Sequence, residues 1–147
     1  MTATFAFGGS RYNRLAIEAL GYAQPNDATN YHDANWINVR ISVSVGGFTG
    51  KFDASFLASE LVDFQAQLAN LQTSLKGDAK FETLEGQLAL DIHGNGLGAM
   101  ELRGVAQDQA GIGNIFRFCL QLDQTQTSAS LHELSEIIVA YPVRDVK

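Results

Sequence analysis

The ten residues Trp36–Val45 constrain the fold more than any other stretch of this chain. Ile37, Val39, Ile41, Val43 and Val45 alternate strictly with Asn38, Arg40, Ser42 and Ser44. Successive side chains of a strand point to opposite faces, so a period of two over this length specifies one buried and one wet face. A wet face in turn favours antiparallel sheet, because parallel sheets are covered on both sides. Gly46-Gly47 then permits a tight hairpin, and Phe48–Phe52 is expected to pair back as the next strand.

The flanking sequence extends this pattern. Thr2–Phe7 reads as a short first strand ended by the turn signal Gly8-Gly9-Ser10, and Arg14–Tyr22 reads as a second. Pro25-Asn26-Asp27 opens a polar loop to about Asn35, in which Asp33 and Asn35 are expected to bond side chain to backbone. Trp36, a large aromatic at the head of a central strand, is expected to pack inside. From about Ser55 to Lys76 the period becomes helical: Phe56, Leu57, Leu61, Phe64, Leu68, Leu71 and Leu75 follow three- and four-residue steps, and Gly77 is placed to cap the end.

Four further strands are predicted at Lys80–Leu84, Gln87–His93, Ala99–Gln107 and Asn114–Asp123. A closing helix is expected from Ser128–Ser130, with Ser130 and Glu133 spaced as a capping box and Pro142 as its stop. The resulting fold class is α+β, with mainly antiparallel β-sheet of about seven to eight strands, one long helix mid-chain and a C-terminal helix. The 147 residues contain no evident internal repeat and suit one domain spanning 1–147.

Composition narrows the function classes. One cysteine, Cys119, cannot form an internal disulfide, which fits a reducing compartment. The N-terminal residues lack a basic segment followed by an apolar run, and no apolar stretch is long enough to span a bilayer, so the expected location is cytoplasmic. The net charge of −6 is uneven: residues 1–76 hold five Lys/Arg against six Asp/Glu, and residues 77–147 hold five against ten. Such a field opposes nucleic-acid binding and favours a basic protein partner.

Motifs for catalysis are weak. Gly94-Asn95-Gly96-Leu97-Gly98 is followed by a strand rather than a helix, so it reads as a hairpin and not as a phosphate loop. Asp91 and His93 share a strand face, but two ligands do not make a metal site. His32 reads as a loop residue, His132 as an exposed helix residue and Cys119 as a half-buried structural thiol. Neither a catalytic residue nor a cofactor is assigned, and the chain is read as no enzyme.

A segment spanning Leu20-Gly21-Tyr22, Pro25, Tyr31 and Asp33-Ala34-Asn35-Trp36-Ile37-x-Val39 resembles the WapI-like immunity protein family of bacteria. That family shows an LGY…P segment followed by YDANWL-x-V. Here His32 is inserted after Tyr31, and Ile37 replaces leucine. Glu60-Leu61-x-x-Phe64 and the terminal Tyr141-Pro142 are similar too. The resemblance implies an antitoxin that binds a cognate secreted toxin domain, often a nuclease, without turnover. Such a toxin presents a basic face that acidic residues could cover. The candidate partner-binding residues are Glu82, Glu85, Asp91 and Glu101 on the later strands and turns, with Glu60 and Asp63 on the long helix. A non-catalytic regulatory or structural protein-interaction module, with a peptide-sized groove on the sheet, is the alternative. A small enzyme using Asp91, His93 or Cys119 is the third.

Overall fold

The computed structural model describes residues 3–24 and 34–145. Two four-stranded antiparallel meanders follow one another, each closed by a helix. The first sheet has β1 (Ala3–Ser10), β2 (Asn13–Tyr22), β3 (Trp36–Val45) and β4 (Phe48–Leu57), in that spatial order. Helix α1 (Ala58–Ser74) leads to the second sheet, β5 (Lys76–Phe81), β6 (Leu88–Asn95), β7 (Ala99–Gln107) and β8 (Ile115–Asp123), followed by α2 (Gln124–Ala140). The chain is thus α+β, with both sheets wholly antiparallel.

The β3 alternation forms as its sequence requires: Ile37, Val39, Ile41 and Val43 are buried, and Asn38 is exposed. Several boundaries differ from expectation, each for a local reason. Gly8, Gly9 and Ser10 belong to β1 rather than to the turn. Gly8 adopts φ 99° where the β1–β2 register shifts, and a Cβ there would meet the Asn13 carbonyl oxygen at 2.0 Å. The bulge therefore needs glycine. Strand β4 continues to Leu57, because its pairing with β3 runs unbroken from Val45↔Phe48 to Trp36↔Leu57. Phe56 and Leu57 consequently belong to the strand, although their spacing also fits the helix.

At the far end of α1, Leu75 itself takes the left-handed conformation (φ 61°) while its N–H bonds to the Leu71 carbonyl. Gly77 is thereby freed to enter β5, which lies at Lys76–Phe81 rather than 80–84. Helix α2 begins at Gln124, earlier than predicted. Asp123 accepts from the Gln126 N–H at 2.7 Å, and the Gln126 side chain accepts from the Asp123 N–H at 3.0 Å. That reciprocal box replaces the one expected at Ser130 and Glu133.

Ser130 and Glu133 act instead across the fold. Ser130 Oγ donates to the Ala6 carbonyl, and the Ala6 N–H donates to Glu133 Oε1 at 3.2 Å. Helix α2 thus blocks the outer edge of β1. Its counterpart is α1, where Gln67 Oε1 accepts from the Lys80 N–H on the edge of β5 at 2.9 Å. Each helix follows one sheet in sequence and packs along the first strand of the other. Pairing edge peptide groups to side chains removes them as templates for unwanted strand addition.

A chain of phenylalanines joins these layers. Phe7 of β1 lies 6.2 Å from Phe64 of α1, Phe64 lies 5.1 Å from Phe81 of β5, and Phe81 lies 5.0 Å from Phe56 of β4. All four are fully buried, in one hydrophobic cluster that includes both sheets and both helices. Beside it, the buried Gln87 side chain donates to the carbonyls of Asp53 and Gln107 at 3.3 and 3.2 Å, tying β4 to β7. Trp36 is only half-buried, contrary to expectation. Asn35 is fully buried and bonds to the backbone of Arg144; Asp33, His32, Tyr31 and Pro25 lie outside the described residues.

Candidate functional site

The outward face of the second sheet gathers three of the six acidic candidates. Strand register sets Lys80, Asp91, Arg103 and Cys119 side by side in one row, and Asp78, His93, Glu101 and Gln121 in the next. Glu82, just beyond β5, and Arg117 on β8 extend the surface, which encloses a shallow depression of about 790 Å³. Alternation produces this arrangement directly: Ile92 and Leu102 face the core, so their neighbours must face outward.

Charges on this face interleave rather than accumulate. Arg103 Nε donates to Glu101 Oε1 at 2.5 Å, and Gln121 Nε2 donates to the other Glu101 oxygen at 3.3 Å. These bonds, Arg103 foremost, hold the Glu101 carboxyl below the usual carboxylate range. Glu101 in turn raises the Arg103 guanidinium. His93 Nδ1 lies 2.5 Å from Asp78 Oδ1. Four carboxylates (Asp78, Glu82, Asp91, Glu101) are set against three fixed cations (Lys80, Arg103, Arg117). The face is therefore nearly balanced, although the second half of the chain is strongly acidic.

One group in this array stands out. Asp91 is partly buried, and its Oδ1 is shielded from solvent with no hydrogen-bond donor among the described residues. A shielded carboxylate oxygen without a donor is costly, and a donor brought by a partner would remove that cost.

The other candidates lie elsewhere. Glu85 sits in the β5–β6 connection, beside Asn38, Asp53 and Ser55 of the first sheet. Glu60 accepts from the Leu57 N–H at 2.7 Å and the Leu84 N–H at 2.6 Å, securing the start of α1 and the segment after β5. Asp63 is exposed on α1 and accepts from Gln67 Nε2 at 3.1 Å. The cations Lys80, Arg103 and Arg117 were not among the sequence candidates. Their signal is the same period of two, which puts Lys80 on the face of Glu82 and Arg103 on that of Glu101.

Chemistry on this face is limited. Cys119 is exposed rather than half-buried, and partial desolvation of its sulfur, with the Glu101 carboxylate nearby, raises its thiol above the ordinary range. A raised thiol is a poor nucleophile at neutral pH. Among the described residues, no group of three His, Cys, Asp or Glu is placed to hold a metal ion. His132 is exposed on α2, with Nε2 2.7 Å from Glu136 Oε1. Among the described residues, no helix is long and apolar enough to cross a membrane.

The face thus presents a paired array of charges on an antiparallel sheet. The chain belongs to the immunity protein WapI-like family, whose model matches residues 6–142. Membership implies an immunity role with a toxin protein as partner. No protein with a curated description matches. Among solved structures, the chain is similar to one described as "Crystal structures of trypanosoma bruciei MRP1/MRP2", at 7% identity over 96% of this chain and 86% of that one, with a TM-score of 0.49.

Proposed function

We propose that this protein neutralises a cognate secreted toxin domain by stoichiometric binding through the outward face of the second sheet, with Glu82, Asp91 and Glu101 among its contacts. The family match over nearly the whole chain supports the immunity role. The observation that carries the choice of face is the shielded, donorless Oδ1 of Asp91 between Lys80 and Arg103. A basic toxin surface, such as the nucleic-acid face of a nuclease, supplies an Arg or Lys donor to that oxygen. The balanced charges fix register and reject wrong partners, since a misplaced partner sets like charges together. The binding is non-catalytic, in a cytoplasmic protein.

The test is titration of the protein with the toxin domain encoded beside its gene, followed by protection of the toxin's substrate. We expect one-to-one binding, weakened at least tenfold by combining Glu82→Ala, Asp91→Ala and Glu101→Ala, and unchanged by Asp63→Ala. Absence of binding to any toxin domain encoded nearby would overturn the role. Full affinity in the triple variant would overturn the face.

A further inference from the structure

The first sheet carries a patch of positive charge, and one of its edges is open. Its outward face holds a groove of about 740 Å³ between Arg11, Arg14 and Lys51, floored by Ala16, Ser42 and Gly50. No Asp or Glu lines this groove. Among the described residues, none of the three cations forms an ion pair, whereas Arg40 further along the same face is paired with Asp53 at 3.0 Å. An acidic chain has thus left an uncompensated positive patch on one sheet.

Backbone geometry beside the patch points the same way. In an antiparallel strand, the N–H and C=O of one residue face one neighbour and those of the next face the other. The Trp36 carbonyl accepts from Ala23, and the Gly46 N–H donates to Tyr12, so even-numbered positions of β3 face β2 and odd-numbered ones face β4. By the β3–β4 register, Phe48, Gly50 and Phe52 then bond to β3, while Thr49, Lys51 and Asp53 point outward. Gln87 takes the Asp53 carbonyl. Among the described residues, no hydrogen bond reaches the outward peptide groups of Thr49 or Lys51. The edges of β1 and β5 are blocked by helix side chains at Ala6 and Lys80; this stretch of β4 is not. At its head Phe48 is 71% exposed, an apolar anchor beside Phe116.

We infer that the β4 edge from Phe48 to Lys51 docks an acidic, extended segment of a protein partner as a fifth strand of the first sheet. The open N–H and C=O groups of Thr49 and Lys51 supply strand pairing, which any extended backbone satisfies. Selection comes from charge. Carboxylates on the outward side of the added strand meet Lys51 directly, while Arg14 on β2, about three strand spacings of roughly 4.8 Å away, and Arg11 add a longer-range attraction that salt weakens. The small floor leaves these side chains room to lie flat. This inference does not rest on the immunity reading, and its surface is on the other sheet.

The experiment uses the full chain and a fluorescein-labelled heptapeptide of alternating glutamate and valine, with a glutamine–valine peptide as control. We expect the glutamate peptide to bind at least tenfold tighter than the control, with affinity falling as salt rises. Lys51→Glu should weaken it at least tenfold, and Arg14→Glu by a smaller factor that shrinks further as salt rises. Thr49→Pro removes an N–H that β3 does not use, so it should abolish binding while leaving the circular dichroism spectrum unchanged. In the wild type, the peptide should slow hydrogen exchange at the Thr49 and Lys51 amides, a readout that stands even if the proline variant fails to fold. Equal binding of both peptides, or unchanged exchange at those amides, overturns the inference. So does a concentration-dependent dimer lost in Lys51→Glu, which would assign the edge to a second copy. Tighter binding of a thymidine oligonucleotide than of the peptide would show a surface for phosphate polymers and overturn it equally.

Discussion

Asn35 and Arg144 hold each other by two opposed hydrogen bonds: Asn35 Nδ2 donates to the Arg144 carbonyl at 2.9 Å, and the Arg144 N–H donates to Asn35 Oδ1 at 2.6 Å. The same arginine donates through Nε to the Ala34 carbonyl at 2.8 Å and through its guanidinium to that of Gln24 at 2.9 Å. Its guanidinium also lies 3.7 Å from the centre of the Tyr22 ring. Tyr22 completes the latch by donating to the Pro142 carbonyl at 2.5 Å and packing edge-on to Tyr141, with ring centres 5.4 Å apart. Tyr22, Ala34 and Asn35, which carry the family resemblance, thus fasten the C-terminal segment to the head of β3.

Replacing Asn35 with alanine removes both reciprocal bonds at a fully buried position. Buried groups left without partners cost about 1–3 kcal/mol, so urea denaturation of Asn35→Ala should show a loss of that order. Limited proteolysis should cut first near Tyr141–Arg144. Unchanged stability would show that water replaces the amide without penalty.

Glu60 and Asp63 should separate cleanly. Glu60→Ala strips acceptors from the Leu57 and Leu84 N–H groups and should cost about 1–3 kcal/mol in thermal or chemical melts. Asp63→Ala removes an exposed carboxylate and should stay within about 0.5 kcal/mol of the parent. In the toxin titration, Glu60→Ala should shift the midpoint of unfolding more than the affinity.

Gly104 makes room for an aromatic ring. A Cβ at this position would lie 2.2 Å from Phe118 Cζ, directly across the β7–β8 pair. Overpacking of this kind costs about 1–3 kcal/mol. Gly104→Ala should lower the melting temperature, and combining it with Phe118→Leu should recover part of the loss. A combined loss equal to or greater than the sum of the single losses would locate the strain elsewhere.

Stability should fall toward both extremes of pH, for different residues. The Glu101 carboxyl is held low by Arg103, and that of Asp108 by Asn114. For each, the folded state binds its proton less readily than the unfolded chain. Their contributions are present above the unfolded carboxylate range and fade as pH falls through it and then through the lower folded values. Tyr22 is raised, chiefly by desolvation against the opposing pull of Arg144. Its contribution is complete below the unfolded value near 10 and is lost as pH climbs past it. Urea melts across pH should show the Tyr22→Phe variant losing less than the parent above pH 10, and Glu101→Gln losing less below pH 4.

Much of the fold is legible where one local rule acts alone. The β3 alternation fixes its register and buried face, because a slip of one residue would turn Ile37, Val39 and Ile41 into water. The α1 stripe of Leu61, Phe64, Leu68 and Leu71 fixes which side of that helix is buried. Boundaries failed where two local codes overlap. Phe56 and Leu57 suit both the end of a strand and the start of a helix, and pairing with Ile37 and Trp36 decides for the strand. Ser130 and Glu133 have the spacing of a helix cap, yet the β1 edge has the stronger claim on them.

The candidate face was partly legible for a similar reason. Period two sets Asp91 and Glu101 on alternating strand positions, and the strand register then places Lys80 and Arg103 on either side of Asp91. Net charge over residues 77–147 could not show this, because it counts charges without placing them.

By itself, the sequence determined the element types, the buried faces of β3 and α1, and the family, since all of these follow from patterns among residues close together in the chain. Only the tertiary structure decided that two four-stranded meanders, unlike in sequence, repeat one architecture. It alone set each helix along the other sheet's first strand and left the Thr49–Lys51 edge open. Those outcomes depend on which peptide groups find partners more than a hundred residues away, as Ala6 does at Ser130 and Glu133, and no local pattern encodes that choice.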